Sequence, residues 1–264
     1  MSPKPFICAL AIALVCLTAA AQDLTVDQII AKNIEAHGGM EKMKALKSVR
    51  FTGRMTVGPG IEVPAVMEQK RPGSFRLEIT AQGLTAIQAY DGQTGWQINP
   101  FEGKKDPELM GEDDLKDAQE QADIDGPLVD YKAKGNKVEL VGREKVEGSD
   151  AYKLKVTLKN GDVRYFYLDA DTFLEIKEES KRTIRGTEVE GETTYGDYKE
   201  EGGVMMPHSL ETGPKGSTQK QHITIEKVEI NPPLDDSRFK MPAAAKPADK
   251  KPEAQPATKP PVNR

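Results

Sequence analysis

The chain has 264 residues, with 37 Lys and Arg against 42 Asp and Glu, and a net charge of −5 at pH 7. This acidic balance disfavours a nucleic-acid-binding surface, which requires clustered positive charge. The two cysteines, Cys8 and Cys16, and the three histidines, His37, His208 and His222, leave little material for a disulfide framework or a metal centre.

Residues 1–21 have the pattern of a secretory signal peptide. Lys4 supplies the positive start, residues 6–17 form an apolar stretch that is too short for a membrane span, and Ala19-Ala20-Ala21 offers small residues for cleavage. Both cysteines lie in this segment, so the mature protein should contain none. We therefore predict a periplasmic protein, soluble after cleavage near Ala21, with no transmembrane span in the mature chain.

Residues 22–241 form the predicted folded domain, which begins with helices. Asp23 or Thr25 can cap a helix from Val26 to Ala36, which Gly38-Gly39 should end. A second short helix is predicted from Met40 to Leu46. The opposite end of the chain, residues 242–264, is rich in Pro, Ala and Lys and almost free of large apolar side chains, which predicts a disordered tail.

Apolar and polar residues alternate with a period of two along most of the domain, which predicts antiparallel strands. An acidic helical insert at about 112–131, divided by Gly126-Pro127, separates two runs of strands. Asn160-Gly161 indicates a hairpin. In the last strand Ile223 and Ile225 occupy one phase and Val228 and Ile230 the other, which predicts a β-bulge. The pattern predicts an α+β fold of about 11 strands in one strongly curved antiparallel sheet, with helices on its apolar face.

Patterns typical of catalysis are missing from the sequence, including a nucleophile elbow, a His-Glu-x-x-His motif and a phosphate-binding glycine loop. His208 and His222 fall in neighbouring predicted strands near Glu211, so a metal site there is a minor alternative to two surface histidines. We therefore predict a protein that is not an enzyme and has no cofactor and no metal. The apolar face of the sheet is either filled by helices and side chains or left partly open as a binding groove.

Three stretches resemble the LolA/LolB-like family of outer-membrane lipoprotein-sorting carriers. They are Tyr90 to Pro100, with its Asp-Gly turn, Trp96 and Asn-Pro; Gly202 to Pro207; and Ile223 to Pro242, with Asn231-Pro232-Pro233 and Phe239. The order of helix, strand meander, helical interruption and further strands also matches. The resemblance covers roughly residues 24–242.

The resemblance implies a half-open β-barrel whose helices cover a hydrophobic cavity on the concave face. It implies a periplasmic carrier or chaperone that binds lipoprotein acyl chains or another lipid, with envelope membrane proteins as donor and acceptor partners and no nucleic acid. Residues 112–131 would form a movable cover. The predicted cavity residues are the large side chains of the first strand run: Val49, Phe51, Met55, Val63, Met67, Phe75, Leu77, Ile79, Tyr90, Trp96 and Ile98. The alternative is a structural or protein-interaction module of the cell envelope with a filled core and no ligand.

Overall fold

The computed structural model describes residues 24–184 and 186–242. The predicted signal peptide at 1–21, and the predicted tail beyond its first residue Pro242, lie outside the described residues. Within the described ranges, no helix is both long enough and apolar enough to cross a membrane.

Helix α1 spans Val26–Ala36, as predicted. It begins with a capping box, because the backbone N–H of Gln28 donates to the Thr25 hydroxyl and Gln28 Oε1 accepts from the Thr25 backbone N–H. Ile29 and Ile30 on its buried face pack against strands of the sheet. This apolar face, more than the intrinsic helix propensity, fixes where α1 lies.

Gly38 follows α1 with a φ of 107°, in the region that favours glycine. A Cβ atom on Gly38 would lie 2.1 Å from the carbonyl oxygen of Gly203, so this glycine also lets the end of α1 approach the sheet closely. Helix α2, Met40–Ala45, follows directly, one residue shorter than predicted.

Two further helices lie in the acidic insert. Helix α3 spans Glu112–Gln121 and helix α4 spans Tyr131–Lys134. Three acidic residues in the first turn of α3 stabilise the helix, because their negative charges lie at the positive end of its dipole. The segment between the helices contains Gly126 and Pro127, so the predicted division of the insert is confirmed.

The remaining elements form one 13-stranded sheet in which every neighbouring pair is antiparallel. The strand order is β6-β5-β4-β3-β2-β1-β13-β12-β11-β10-β9-β8-β7, so the sheet is open and β6 and β7 are its edges. The strands are β1 Ser48–Thr56, β2 Glu62–Lys70, β3 Ser74–Ala81, β4 Leu84–Tyr90, β5 Gly95–Asn99, β6 Lys104–Leu109, β7 Lys137–Val146, β8 Ser149–Thr157, β9 Val163–Asp169, β10 Glu175–Ile184, β11 Thr187–Glu201, β12 Val204–Pro214 and β13 Gln221–Ile230.

The count of 13 strands corrects the prediction of about 11. Strand β6 was not predicted, because Lys104–Leu109 is largely exposed and has no buried face to impose alternation. It also contains Pro107, which a strand tolerates at the edge of a sheet. The Asn160-Gly161 hairpin is confirmed between β8 and β9, with Thr157 paired to Val163.

The bulge predicted in the last strand is also confirmed. Strand β13 pairs with β1, and the register shifts between Thr52 and Gly53 of β1. On one side of the shift Phe51 pairs with Val228, and on the other side Gly53 pairs with Ile225. Because β13 has one extra residue at this shift, Ile223 and Ile225 point to the same face of the sheet as Val228 and Ile230.

The C-terminal strap, residues 231–242, crosses the outer face of strands β1–β5, which is the face opposite the helices. At its start, Asn231 Oδ1 accepts a hydrogen bond of 2.6 Å from the backbone N–H of Lys47. Near its end, the carbonyl oxygen of Phe239 accepts a hydrogen bond of 2.7 Å from Trp96 Nε1. Phe239 and Trp96 are both 1% exposed, so the strap closes a small core of its own.

A buried carboxylate anchors the middle of the strap. Glu68 is 1% exposed, and its two oxygens accept hydrogen bonds of 2.8 Å from Arg50 Nε and from Arg238 Nε. Arg50 lies in the sheet and Arg238 in the strap, so the carboxylate joins the two. Charge-assisted bonds of this kind are stronger than neutral ones.

We expect Gly53→Ala to lower the free energy of unfolding by about 2 kcal/mol or more, because a Cβ atom there would lie 2.0 Å from the carbonyl oxygen of Thr224. Gly196→Ala, in β11, is the matched control, since its Cβ atom would meet nothing within 4 Å. Urea unfolding followed by Trp96 fluorescence measures both. Equal stability of the two variants would contradict the close approach of β1 and β13.

We expect Glu68→Gln to lower the free energy of unfolding by about 1–3 kcal/mol, because it removes the buried charge that bonds to Arg50 and Arg238 at 2.8 Å. Among the described residues, these arginines keep only pairs of 3.5 Å with Glu229 and Glu78. Glu62→Gln is the control, since Glu62 and its partner Arg54 are 56% and 44% exposed and should contribute less than about 1 kcal/mol. The same urea titration compares them. If Glu68→Gln lowers the free energy of unfolding no more than Glu62→Gln does, the Glu68 carboxylate does not anchor the strap.

Candidate functional site

Strand pairing places most of the predicted cavity residues on the inner face, the face of the sheet against which α1 and α3 pack. In register, Phe51 pairs with Met67 and Met55 with Val63; Met67 in turn pairs with Leu77. Directly paired residues of antiparallel strands point to the same face. The inner face also includes Val49, Phe75, Ile79 and Tyr90 by the same pairing.

The inner-face residues divide among three environments. Phe75 packs under α3 against Ala118 and Ala122, with Met67, Leu77, Tyr90 and Met110 around it. Val49 and Phe51 belong to a second cluster with Leu46, Val204 and Met206. Val63 is buried and Met55 is half-buried beside it in the strand pair.

Trp96 and Ile98 do not lie on the inner face with the other predicted cavity residues. Tyr90 pairs with Gly95 across the β4–β5 turn, so Trp96 falls in the opposite phase and packs on the outer face under the strap. Arg76 of the outer face lies over the Trp96 ring, at 5.6 Å from its centroid. Ile98 pairs with Ile87 in the same phase as Trp96.

An open pocket of about 350 Å³ lies at the end of strands β3–β5, beyond the part that α3 covers. Leu77, Ile79 and Ile98 border it, so three predicted residues meet there. The other residues that border the pocket were not predicted from the sequence; they are Val57, Ala81, Ala86, Ile87, Gln88, Gln97, Asn99 and Phe101. Ala81 and Ala86 continue the inner-face alternation of β3 and β4, and that signal was available in the sequence.

Bulky apolar side chains are exposed around the mouth of this pocket. Phe101, which follows β5 and borders the pocket, is 49% exposed. Leu84, paired with Ala81 of the pocket, and Ile61, in the turn after Val57, are exposed as well. An apolar pocket with an apolar rim is the arrangement expected of a site that binds an apolar ligand.

The inner face of strands β9–β11 carries a polar patch beside the apolar cluster under α1, to which Phe166 and Leu168 of β9 belong. Arg164 of β9 pairs with Glu120 of α3 and lies 3.3 Å from Glu178 of β10. The Tyr195 hydroxyl donates a hydrogen bond of 2.8 Å to Glu178. Burial raises the pKa of Glu178, and burial together with the neighbouring Glu178 carboxylate raises the pKa of Tyr195 well above its usual range.

A second ion pair joins α3 to this side of the sheet. Arg182 of β10 pairs with Asp117, one helical turn before Glu120. Ala118 of the same helix and Ala122, which follows its last residue, pack against Phe75 on the other side. Helix α3 therefore connects the apolar first strands of the inner face to the polar patch.

The end of α1 is held by a half-buried His–Glu pair. His37 Nε2 lies 2.6 Å from Glu175 Oε2, and His37 Nδ1 lies 2.8 Å from the carbonyl oxygen of Met205. Burial opposes charge on both groups, but the Glu175 carboxylate raises the pKa of His37 and the imidazolium lowers the pKa of Glu175. Both ring nitrogens face oxygen acceptors, which suits the protonated histidine. This pair fixes α1 to β10 and β12.

The other two histidines do not come together. His208 is buried on the inner face, where its Nδ1 lies 2.9 Å from the carbonyl oxygen of Ile225. His222 pairs with Glu211 in the adjacent phase, on the outer face, and is largely exposed. In the described part of the chain, no group of three His, Cys, Asp or Glu side chains could hold a metal ion.

Comparison by sequence finds no family model and no curated protein that matches the chain. Comparison with solved structures does find similar folds. A LolA superfamily protein from Nitrosomonas europaea superposes with a TM-score of 0.56 and 14% identity, over 83% of this chain and 98% of that one.

Two further structures match less well. A DUF1329 family protein from Desulfovibrio piger has a TM-score of 0.49 and 14% identity, over 81% of this chain and 97% of its own. A domain named for outer-membrane lipoprotein sorting, from Vibrio parahaemolyticus, has a TM-score of 0.48 and 13% identity, over the same shares. The similarity to the Nitrosomonas protein shows that this chain has the LolA-like fold, which confirms the resemblance predicted from its sequence.

Proposed function

We propose that the protein is an exported, non-catalytic carrier that binds an acyl chain of a lipid or of a lipoprotein. The observation that carries the proposal is the open apolar pocket of about 350 Å³ at the ends of β3–β5, with Phe101 exposed at its rim. The LolA-like fold supports it, because the Nitrosomonas protein that shares this fold is named for the LolA superfamily. Envelope membrane proteins would then be the donor and acceptor of the cargo.

The energetics of burial are sufficient for such a ligand. Each methylene transferred from water to an apolar site contributes about 0.8 kcal/mol, so ten methylenes contribute roughly 8 kcal/mol before ordering costs. That gross value corresponds to micromolar affinity. The pocket lies at the small end of the range for ligand sites, so it suits part of one chain.

The residues that border the pocket can bind a ligand but cannot catalyse a reaction. Every residue that borders it is uncharged, so a general acid, a general base and an activated nucleophile are all missing from its wall. The half-buried His37–Glu175 pair lies between α1 and the sheet, where each group already has its partners. This arrangement favours a carrier over an enzyme.

Helix α3 is the movable cover in this proposal. Phe75 is 1% exposed beneath it, so this part of the inner face becomes accessible only when α3 moves away. Movement of α3 would extend the pocket from Leu77 and Ile79 towards Phe75, Met67 and Tyr90. A longer chain could then be enclosed than the open pocket alone accepts.

A structural or protein-interaction module without a ligand is the second candidate. The ion pairs of Arg164 and Arg182 with α3 favour it, because they fill the polar patch of the inner face with side chains. In that case the open pocket would be a surface feature and acyl chains would not bind to it.

We expect Phe101→Glu to weaken the binding of a fluorescent sixteen-carbon acyl probe at least tenfold, because it places a charge at the apolar rim of the pocket. Val141→Glu is the matched control. Val141 is 52% exposed, similar to Phe101, but it lies in β7 at the far edge of the sheet. Fluorescence titration of the mature chain and both variants measures the three affinities.

Equal weakening by the two variants would place the binding site elsewhere. Absence of probe binding to the unaltered protein would reject the carrier and favour the module. Circular dichroism of each variant verifies that the strand content is unchanged, which the exposure of both positions leads us to expect.

A further inference from the structure

Three neutral amide side chains form one wall of the pocket. Gln88 of β4 and Gln97 of β5 are directly paired, and Asn99 lies two residues further along β5 on the same face. All three border the pocket beside the apolar side chains of Leu77 and Ile79, because Gln88 pairs with Leu77 of β3. The pocket therefore has an apolar part and, next to it, a part lined by amides, which we call the amide wall.

The amide wall has unused hydrogen-bonding capacity. The Gln88 side chain makes no hydrogen bond to another described residue. Gln97 Nε2 donates a weak bond of 3.3 Å to Glu108 Oε1, and its own carbonyl oxygen accepts none from the described chain. Asn99 Oδ1 is also without a partner in the described part of the protein. Polar groups in a half-enclosed apolar site that lack partners gain free energy when a ligand supplies them.

The same wall offers no charge. None of the residues that border the pocket is ionisable at neutral pH, and Lys104, near the end of β5, already bonds to Glu108 at 2.7 Å. A carboxylate or phosphate head group would lose hydration on entry and find no cation to replace it. A hydroxyl or an amide would find both donors and acceptors.

From this wall we infer the class of ligand, an inference that rests on the proposed carrier function. The pocket binds an uncharged single-chain amphiphile whose head group has a hydrogen-bond donor and an acceptor, such as an acyl amide or a monoacylglycerol. The head lies along Gln88, Gln97 and Asn99, and the first part of the chain lies against Leu77 and Ile79. An ionised fatty acid with the same chain is a poor ligand.

Four ligands that share one eighteen-carbon chain test the inference on the full mature protein at pH 8. They are oleamide, monooleoylglycerol, oleate and methyl oleate, each titrated by displacement of the fluorescent acyl probe. We expect oleamide and monooleoylglycerol to bind at least tenfold more tightly than oleate. Methyl oleate, which has an acceptor but no donor, should bind with intermediate affinity.

Gln88→Leu and Gln97→Leu should each reduce the preference for oleamide over oleate to less than about threefold. Both keep the size of the side chain, and neither removes a strong hydrogen bond. Gln93→Leu is the control, because Gln93 is exposed in the β4–β5 turn at the opposite end of the strands, and it should keep the full preference.

Three outcomes would overturn the inference. If oleate binds as tightly as oleamide, the head-group assignment is wrong while the carrier function stands. The same conclusion follows if both leucine variants, shown to be folded by circular dichroism, keep the preference. If the probe itself does not bind, the carrier function fails together with the inference.

Discussion

The pairing of β1 with β13 is the constraint on which the rest of the structure depends. It joins one arm of six strands, β1 to β6, to a second arm of seven, β7 to β13, although the two partners are more than 160 residues apart in the chain. Gly53 permits the close backbone approach at the bulge, and the bulge keeps the apolar side chains of β13 on the inner face. The strap that follows β13 then crosses the outer face of the first arm, so both faces of that arm depend on this one junction.

The inner face differs along the sheet. The first arm presents apolar side chains and ends in the open pocket. The second arm packs an apolar cluster under α1 and, beside it, holds Glu178 and Tyr195 with Arg164 in a half-buried hydrogen-bonded cluster. Helix α3 reaches the apolar first arm through alanines and this polar cluster through carboxylates. Two acidic residues of the insert, Asp117 and Glu120, therefore have a structural role, because they meet the arginines of β10 and β9. An apolar chain is expected to occupy the first arm, because the open pocket lies there.

Much of the fold could be predicted from local pattern. The capped helix, the Asn160-Gly161 hairpin and the phase slip between Ile225 and Val228 are each specified by a few neighbouring residues. Strand β6 could not be predicted, since an exposed edge strand has no alternation to detect. The site was predicted less completely. Alternation divides the residues of one strand between two faces, but it does not tell which of these faces lies beside the apolar face of the next strand. The pairing of Tyr90 with Gly95 decides this for β5 and sends Trp96 to the outer face, where the strap covers it.

Native mass spectrometry of the protein purified from cells that export it, followed by lipid extraction, tests the central claim most directly. If the protein is an acyl-chain carrier, the mature chain carries one stoichiometric ligand that extracts as an acyl lipid or an acylated peptide. A clean mass of the chain alone, together with no uptake of a fluorescent fatty acid or of an uncharged acyl probe, would contradict it. That result would mean that the pocket of the first arm binds no chain and that the fold serves as a module of the cell envelope.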